Sequence, residues 1–350
     1  MHKDLVSGIG QLFMAGMPGT GLDDHTLSLI RDFNVGGIIF FSRNIEDPAQ
    51  IAGLCQDLQR EALKSWGVPL FLAVDQEGGR VARLREPFTS FPGNAAIAGS
   101  KEPSKRAEEF GVVTAREMKL VGLNMNLAPV VDVQRGELEK HLQGRTFGES
   151  PEQVALLGRT VIRSLQENGV MAVAKHFPGL GQAKVDPHVL LPRIEATEEE
   201  IEKRNLIPFK AAIDQGVAGI MSSHAIYTAL DPERPATLSR EVITRLLRET
   251  MDFQGVLITD DLEMGAIAGP VGEAAHLAFQ AGADILLICK GQEHVEEGCR
   301  LLKDRLTRGG IPEERLVQSL KRIQSAKARF LGKKEEISLA RVREYFKKNA

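Results

Sequence analysis

Aromatic side chains are scarce in this sequence: 5% of 350 residues, with one tryptophan and two tyrosines. That is too little to pave a long polysaccharide groove, and a small pocket working through hydrogen bonds fits better. Cysteine is sparse as well. Cys55, Cys289 and Cys299 show neither a pairing pattern nor metal-type spacing, which reads as reduced, buried thiols in a cytoplasmic protein. There is no excess of one charge: 44 basic residues against 47 acidic leave a net of -3. Near-neutrality argues against nucleic acid or an anionic membrane as partner. No run approaches the roughly 18 apolar residues of a membrane helix, and Met1-His2-Lys3-Asp4-Leu5-Val6-Ser7-Gly8 lacks the apolar core of a secretory signal. No Gly-rich dinucleotide or P-loop fingerprint follows the first apolar run. No cofactor is expected, and no metal.

What the chain does have is 43% hydrophobic and 26% charged residues, the profile of a soluble globular protein. Short β-branched runs at Gln11–Ala15, Val35–Phe41, Pro69–Asp75, Leu123–Val133, Val170–Phe177, Val217–His224, Gly255–Asp260 and Ala283–Cys289 are apolar on both faces. Strands of a buried parallel sheet read this way. Amphipathic stretches at Ser104–Val121, Pro151–Asn168, Glu198–Gln215 and Ser239–Met251 lie between them. Ser150-Pro151-Glu152 and Thr197-Glu198-Glu199-Glu200 are helix starts with caps and acidic first turns. About eight such pairs predict an α/β fold, a (β/α)₈ TIM-type barrel in a single domain over residues 1–335. Residues 336–350 are expected as a helical tail packed on it. The Lys/Arg-rich segment from Gln292 to Ala350 reads as helices with a solvated basic face. A barrel of this length buries an adequate core, so a monomer is expected.

In such a barrel, chemistry gathers at the C-terminal ends of the strands. Five successive strands end in ionisable groups: Asp75-Gln76-Glu77, then Asp132, then Lys175-His176, then Ser222-Ser223-His224, then Asp260-Asp261. The loop Phe177-Pro178-Gly179-Leu180-Gly181-Gln182-Ala183-Lys184-Val185-Asp186-Pro187-His188 adds a carboxylate and an imidazole two residues apart. Alternate side chains of an extended chain project to one side. A carboxylate there fixes the tautomer of the histidine and makes it a usable proton donor near neutral pH. Asp260 or Asp261 could serve as a nucleophile or as a helix cap, and chemistry alone does not choose between them.

Ala73-Val74-Asp75-Gln76-Glu77-Gly78-Gly79-Arg80-Val81, Lys175-His176-Phe177-Pro178-Gly179, Asp186 with His188, and Thr259-Asp260-Asp261-Leu262 follow in an order and spacing that resembles glycoside hydrolase family three. The likeness is to its single-domain β-N-acetylhexosaminidases of the peptidoglycan-recycling type, and it extends over roughly residues 5 to 330. The resemblance implies a retaining exo-acting β-N-acetylglucosaminidase that removes terminal GlcNAc, from GlcNAc-anhydro-muramyl peptides, through a covalent glycosyl-enzyme. It implies Asp260 as nucleophile and His188 as general acid/base assisted by Asp186. It also implies Asp75, Arg83, Arg145, Lys175 and His176 as sugar-binding groups, with His224 at the rim and either structural or functional. The family loop usually has histidine where this chain has Leu180 and serine where it has Pro187; the first change removes a polar tie and the second stiffens the Asp186–His188 pair. Within the family the alternatives are a β-glucosidase or β-xylosidase and a β-N-acetylglucosaminide phosphorylase. From another class, a Schiff-base lyase would use Lys175, and a metal hydrolase would use His176, His188, His224 and Asp260 without the paired spacing of zinc enzymes.

Overall fold

The computed structural model describes residues 6–137, 139–332 and 337–348. Its central feature is an eight-stranded parallel sheet. The strands are β1 (Phe13–Gly16), β2 (Gly37–Phe40), β3 (Phe71–Val74), β4 (Met125–Asn126), β5 (Met171–Phe177), β6 (Gly219–Ser222), β7 (Val256–Thr259) and β8 (Leu286–Ile288). Neighbours follow chain order from β1 to β7, and β8 pairs with β1. A parallel bridge from Ile258 to Ile285 joins β7 to the chain entering β8, which brings the barrel to closure.

Each strand is followed by a helix: α1 (Asp24–Arg31), α2 (Pro48–Trp66), α3 (Pro103–Leu120), α4 (Pro151–Glu167), α5 (Leu206–Asp214), the π-wound α6 (Glu241–Thr250), α7 (Val271–Ala281) and α8 (Gln292–Thr307). Local chemistry starts several of them. Asp47 accepts from the N–H groups of Ala49 and Gln50 ahead of Pro48. Ser150 does the same for Gln153, and Thr197 with Glu200 makes a reciprocal capping box. The strands are buried throughout, and each large aliphatic or aromatic side chain so enclosed contributes about 1.5–3 kcal/mol. Cys55, Cys289 and Cys299 are buried free thiols. Among the described residues no helix is long and apolar enough to cross a membrane.

Three expectations need correction. The run Leu123–Val133 is mostly not strand. Pro129 has no N–H for a ladder, and the side chains of Asn124 and Asn126 instead accept the N–H groups of Leu72 and Gln76 at 2.9 and 3.0 Å. Glu198–Gln215 is interrupted by π winding at Ile201–Asn205, and Ser239–Met251 is π-wound over its length; apolar periodicity over so few turns does not separate the two windings.

The basic tail is the third. Helix α9 (Glu313–Leu331) is only partly a solvated face. Its Arg315 and Arg322 converge with Arg248 on the fully buried Asp284, and Arg315 also donates to the carbonyls of Phe279 and Ala283. Lys327 is 5% exposed and donates to Gln11 Oε1 at 2.7 Å. Helix α10 (Leu339–Lys348) packs against α2 with Val342 and Phe346 buried, and Phe346 meets the edge of Phe88 at 4.6 Å. The boundary expected at residue 335 lies outside the described residues.

Burial lowers the Lys327 ammonium from the usual 10.5 to about 7. The unfolded chain therefore holds a proton more readily than the folded one. The cost of the buried charge is fully present below about pH 7 and fades as pH rises toward 10.5. Lys327→Met should raise unfolding free energy by ~1–3 kcal/mol at pH 6. Urea titrations should show the gain shrinking at pH 9.5; a gain independent of pH would contradict a buried-charge origin.

Candidate active site

Asp75 follows β3, and Lys175 lies within β5 with 2% of its surface exposed. Lys175 Nζ is 2.7 Å from Asp75 Oδ1 and 2.7 Å from Glu77 Oε1. Glu77, 1% exposed, also takes a bidentate pair from Arg145, Nε to Oε2 and Nη2 to Oε1, both at 2.8 Å. Arg83 Nη2 reaches Asp75 Oδ2 at 3.3 Å. Burial alone would raise the Glu77 carboxyl, but the charges of Arg145 and Lys175 outweigh it and hold it well below the usual range. Burial likewise works against the Lys175 ammonium, and Asp75 with Glu77 overcomes it, raising its pKa. Lys175 is thereby engaged by two carboxylates at once, and the lyase alternative gives neither Asp75 nor Glu77 a role. Arg145 is thereby committed to Glu77 and to the carbonyl of His141, 3.2 Å from Nη1. Arg83 and Asp75 are the more accessible members of the cluster.

The next residue, His176, is held by Asp132. Its Nδ1 lies 2.7 Å from Oδ2 and its N–H donates to Oδ1 at 3.1 Å. The same Oδ1 accepts from Leu180 N–H at 2.7 Å, and Tyr227 Oη donates to the carbonyl of Gly179 at 2.9 Å. The base of the loop is therefore tied down by backbone groups, with Leu180 buried where a polar side chain was the family pattern. Gly181 is required here: a Cβ would lie 1.9 Å from the Val133 carbonyl oxygen.

At the far end of the loop, His188 Nδ1 is 2.7 Å from Asp186 Oδ1, and His188 N–H donates to the same oxygen at 2.9 Å. A carboxylate only accepts, so Nδ1 carries the hydrogen and Nε2 is left for a substrate. The imidazole is 61% exposed. Its backbone is anchored: Gly265 and Ala266, in the loop after β7, donate to the carbonyls of His188 and Pro187 at 3.0 and 3.1 Å. That link joins the Asp186–His188 loop to the loop carrying Asp260.

The adjacent acids at the end of β7 have different surroundings. Asp260 accepts one bond, from Asp261 N–H at 2.9 Å. Burial pushes its carboxyl up, but the field of His176, the Asp261 N–H and Lys175 outweighs it and keeps the group ionised. Asp261 Oδ1 takes the N–H groups of Glu263 and Cys289 at 3.1 and 3.2 Å and holds the turn together. Burial pushes its pKa up to about 6. Asp260 is the ionised acid with hydrogen-bonding capacity to spare. His224 is 1% exposed; its Nε2 bonds the Asp261 carbonyl at 2.9 Å and its Nδ1 the Thr237 hydroxyl at 2.8 Å. Both nitrogens serve the protein, so it positions the turn. His224 thus has no ring nitrogen left for a metal, and among the described residues His176, His188, His224 and Asp260 are not gathered at ligand distance.

Four residues near the site were given no role from the sequence, although Glu77 and Asp132 were among the ionisable groups at strand ends. Glu77 was within reach, since its spacing from Asp75 places both on one side of an extended chain. Asp132 stood at a strand end, but its pairing with His176 spans 44 positions. Glu139 and His141, in the loop after β4, carried no signal. His141 Nδ1 contacts Glu139 Oε2 at 2.5 Å and lies 4.0 Å from Asp186 Oδ1.

An ionised acid, a carboxylate-held histidine and a cluster of charged hydrogen-bonding groups at the mouth of a (β/α)₈ barrel are the equipment of a glycoside hydrolase. The chain matches the Glycosyl hydrolase family 3 N terminal domain over residues 5–326, and it belongs to that family. It is 39% identical to a β-hexosaminidase of Pseudomonas aeruginosa over 286 residues, covering 81% of this chain and 83% of that one. It is 35% identical to β-hexosaminidase A of Pseudoalteromonas piscicida over 92% of its length, and there it spans only 58% of the relative. The solved structure of a family 3 β-N-acetylglucosaminidase from Paenibacillus sp. FPU-7 superposes with a TM-score of 0.92 at 36% identity, over 99% of this chain and 68% of that one.

Proposed function

We propose that the protein is a retaining, exo-acting β-N-acetylglucosaminidase that removes terminal β-linked GlcNAc by double displacement. The observation that carries this reading is the Asp186–His188 pair at 2.7 Å, hydrogen-bonded through its own backbone to the loop of Asp260. An Asp260 carboxylate oxygen bonds to the anomeric carbon while the bond to the leaving oxygen breaks, and His188 Nε2 gives that oxygen its proton. His188 then takes a proton from water, whose oxygen displaces Asp260 and restores the original anomeric configuration. Asp75 and Arg83 bind sugar hydroxyls, with Lys175 and Arg145 setting their surroundings. The reading extends to GlcNAc-anhydro-muramyl peptides as natural substrate, in cytoplasmic cell-wall recycling, with the protein acting as a monomer. The β-hexosaminidases and the β-N-acetylglucosaminidase among its relatives support the choice of sugar.

The test compares p-nitrophenyl β-N-acetylglucosaminide with the β-glucoside, using wild type and His188→Ala, with and without phosphate. An aryl leaving group needs little protonation. His188→Ala should therefore release a stoichiometric burst of p-nitrophenol and then stall by ~10²–10⁴-fold in the second step. Its intact mass should show a hexosamine adduct on the Asp260 peptide. Preference for the glucoside would move the enzyme to the glucosidase or xylosidase branch. Sugar-1-phosphate as main product would make it a phosphorylase, and no burst would remove His188 from the acid/base role.

A further inference from the structure

Residues 83–93 form neither helix nor strand, yet both ends of this segment belong to the active site. At the first end, the N–H groups of Arg83 and Leu84 donate to Gln76 Oε1 at 2.8 and 2.9 Å, next to Asp75. At the second, the Phe91 carbonyl accepts from Gly79 N–H at 2.7 Å, and Asn94 Nδ2 donates to the carbonyl of Arg145 at 2.7 Å. The middle is held elsewhere. Thr89 gives its N–H and its hydroxyl to the Glu117 carboxylate at 2.9 and 2.7 Å. Glu117 is 3% exposed and lies in the last turn of α3. A barrel helix runs back from the mouth, so that turn is remote from the site. An irregular segment that reaches so far keeps its shape only through its anchors.

Helix α10, which lies beyond the family match ending at residue 326, supplies further anchors. Phe346 meets Phe88 edge-on with ring centroids 4.6 Å apart, and the two are 5% and 4% exposed. Tyr345 packs against Phe346 at 5.1 Å, and its hydroxyl donates to Glu117 Oε1 at 3.4 Å. The helix thus grips Phe88 directly and Thr89 through Glu117. Only a tight turn separates this grip from Arg83, since Phe88 N–H donates to the Arg85 carbonyl at 3.0 Å. The Arg83 guanidinium needs such backing. Its Nη2 is 3.3 Å from Asp75 Oδ2, and its Nε is buried with no hydrogen-bond partner among the described residues. We propose that α10 is a positioning element for the active site, which sets Arg83 for sugar binding through the Phe346–Phe88 contact and through Glu117. Phe346, Phe88 and Glu117 are positioning residues and touch no substrate. The kinetic half rests on the reading of Arg83 as a sugar-binding group; the mechanical link from α10 to residues 83–93 does not.

The experiment is a double-mutant cycle of Phe346→Ala and Arg83→Ala on p-nitrophenyl β-N-acetylglucosaminide, with circular dichroism verifying each fold. Phe346→Ala alone should raise KM about tenfold and keep kcat within about threefold, the pattern of lost uniform binding. In the Arg83→Ala background the same substitution should change KM by less than about twofold, because residues that act through one another are not additive. Phe346→Leu, which refills most of the space, should return KM to within about threefold of wild type. Amide hydrogen exchange reads the link without activity. In Phe346→Ala the N–H groups of Arg83, Leu84 and Thr89 should exchange at least about tenfold faster, with that of Leu72 in β3 unchanged. If Phe346→Ala does not fold, Phe88→Leu takes its place in the cycle and in the exchange measurement, with the same expectations. An equal rise in KM in both backgrounds, or no rise in a folded single variant, overturns the positioning role. Exchange that quickens evenly over β3 and residues 83–93 overturns the link and leaves α10 a stabilising helix alone. Should wild type fail to cleave the sugar, the hydrolase reading falls while the exchange measurement still decides the link.

Discussion

Asp260→Asn should lower kcat by ~10³-fold or more, with Tm and affinity for a GlcNAc-type inhibitor nearly unchanged. A tenfold change in rate is about 1.4 kcal/mol of barrier, so the loss corresponds to at least ~4 kcal/mol. The reason is chemical, because an amide oxygen does not form the glycosyl ester. Folding should survive because Asp260 makes a single hydrogen bond, to Asp261 N–H, and an asparagine oxygen accepts it equally. The control is Asp261→Asn. Its Oδ1 holds the N–H groups of Glu263 and Cys289, which asparagine also satisfies, and turnover should fall by less than ~10-fold. If the two variants behave the other way round, the nucleophile is Asp261.

Glu77→Gln should destabilise the fold by ~3–5 kcal/mol, the usual result of removing one charge from a buried ion cluster. Glutamine leaves Arg145 and Lys175 with one fewer negative charge between them, at 10% and 2% side-chain exposure. The pH dependence has a definite sign. The folded carboxyl titrates below its usual 4.5, so its contribution is complete above that value and is lost as pH falls beneath it. The gap between wild type and Glu77→Gln in denaturant titrations should be full at pH 7 and narrower at pH 3. A gap that widens on acidification would mean that Glu77 is not stabilised as an anion. Activity should fall as well, because Lys175 and Arg145 orient the surroundings of Asp75.

Much of the barrel was legible because the signals are local. Doubly apolar runs marked the strands, and their boundaries held to a few residues except at Leu123–Val133, where Pro129 and two asparagine side chains replace the ladder. Helix starts at Ser150 and Thr197 were readable because a cap acts within three residues. The basic tail misled. Charge in a helix reads as solvated unless the partner is known, and Asp284, the partner of Arg315, lies in the connection between α7 and β8.

Composition, alternation of strands and helices, and the order of polar residues at strand ends determined by themselves the fold class and the five strands bearing candidate groups. These are properties of neighbouring residues, and burial pattern and turn chemistry express them directly. The tertiary structure alone decided which groups are bound to one another. Lys175 meets Asp75 across 100 positions, Arg145 meets Glu77 across 68, and His176 meets Asp132 across 44. It gave Asp260 and Asp261 different hydrogen-bond commitments and brought Glu139 and His141 to Asp186. Charge state and hydrogen-bond commitment depend on burial and on the field of distant residues, and those exist only once the barrel has closed.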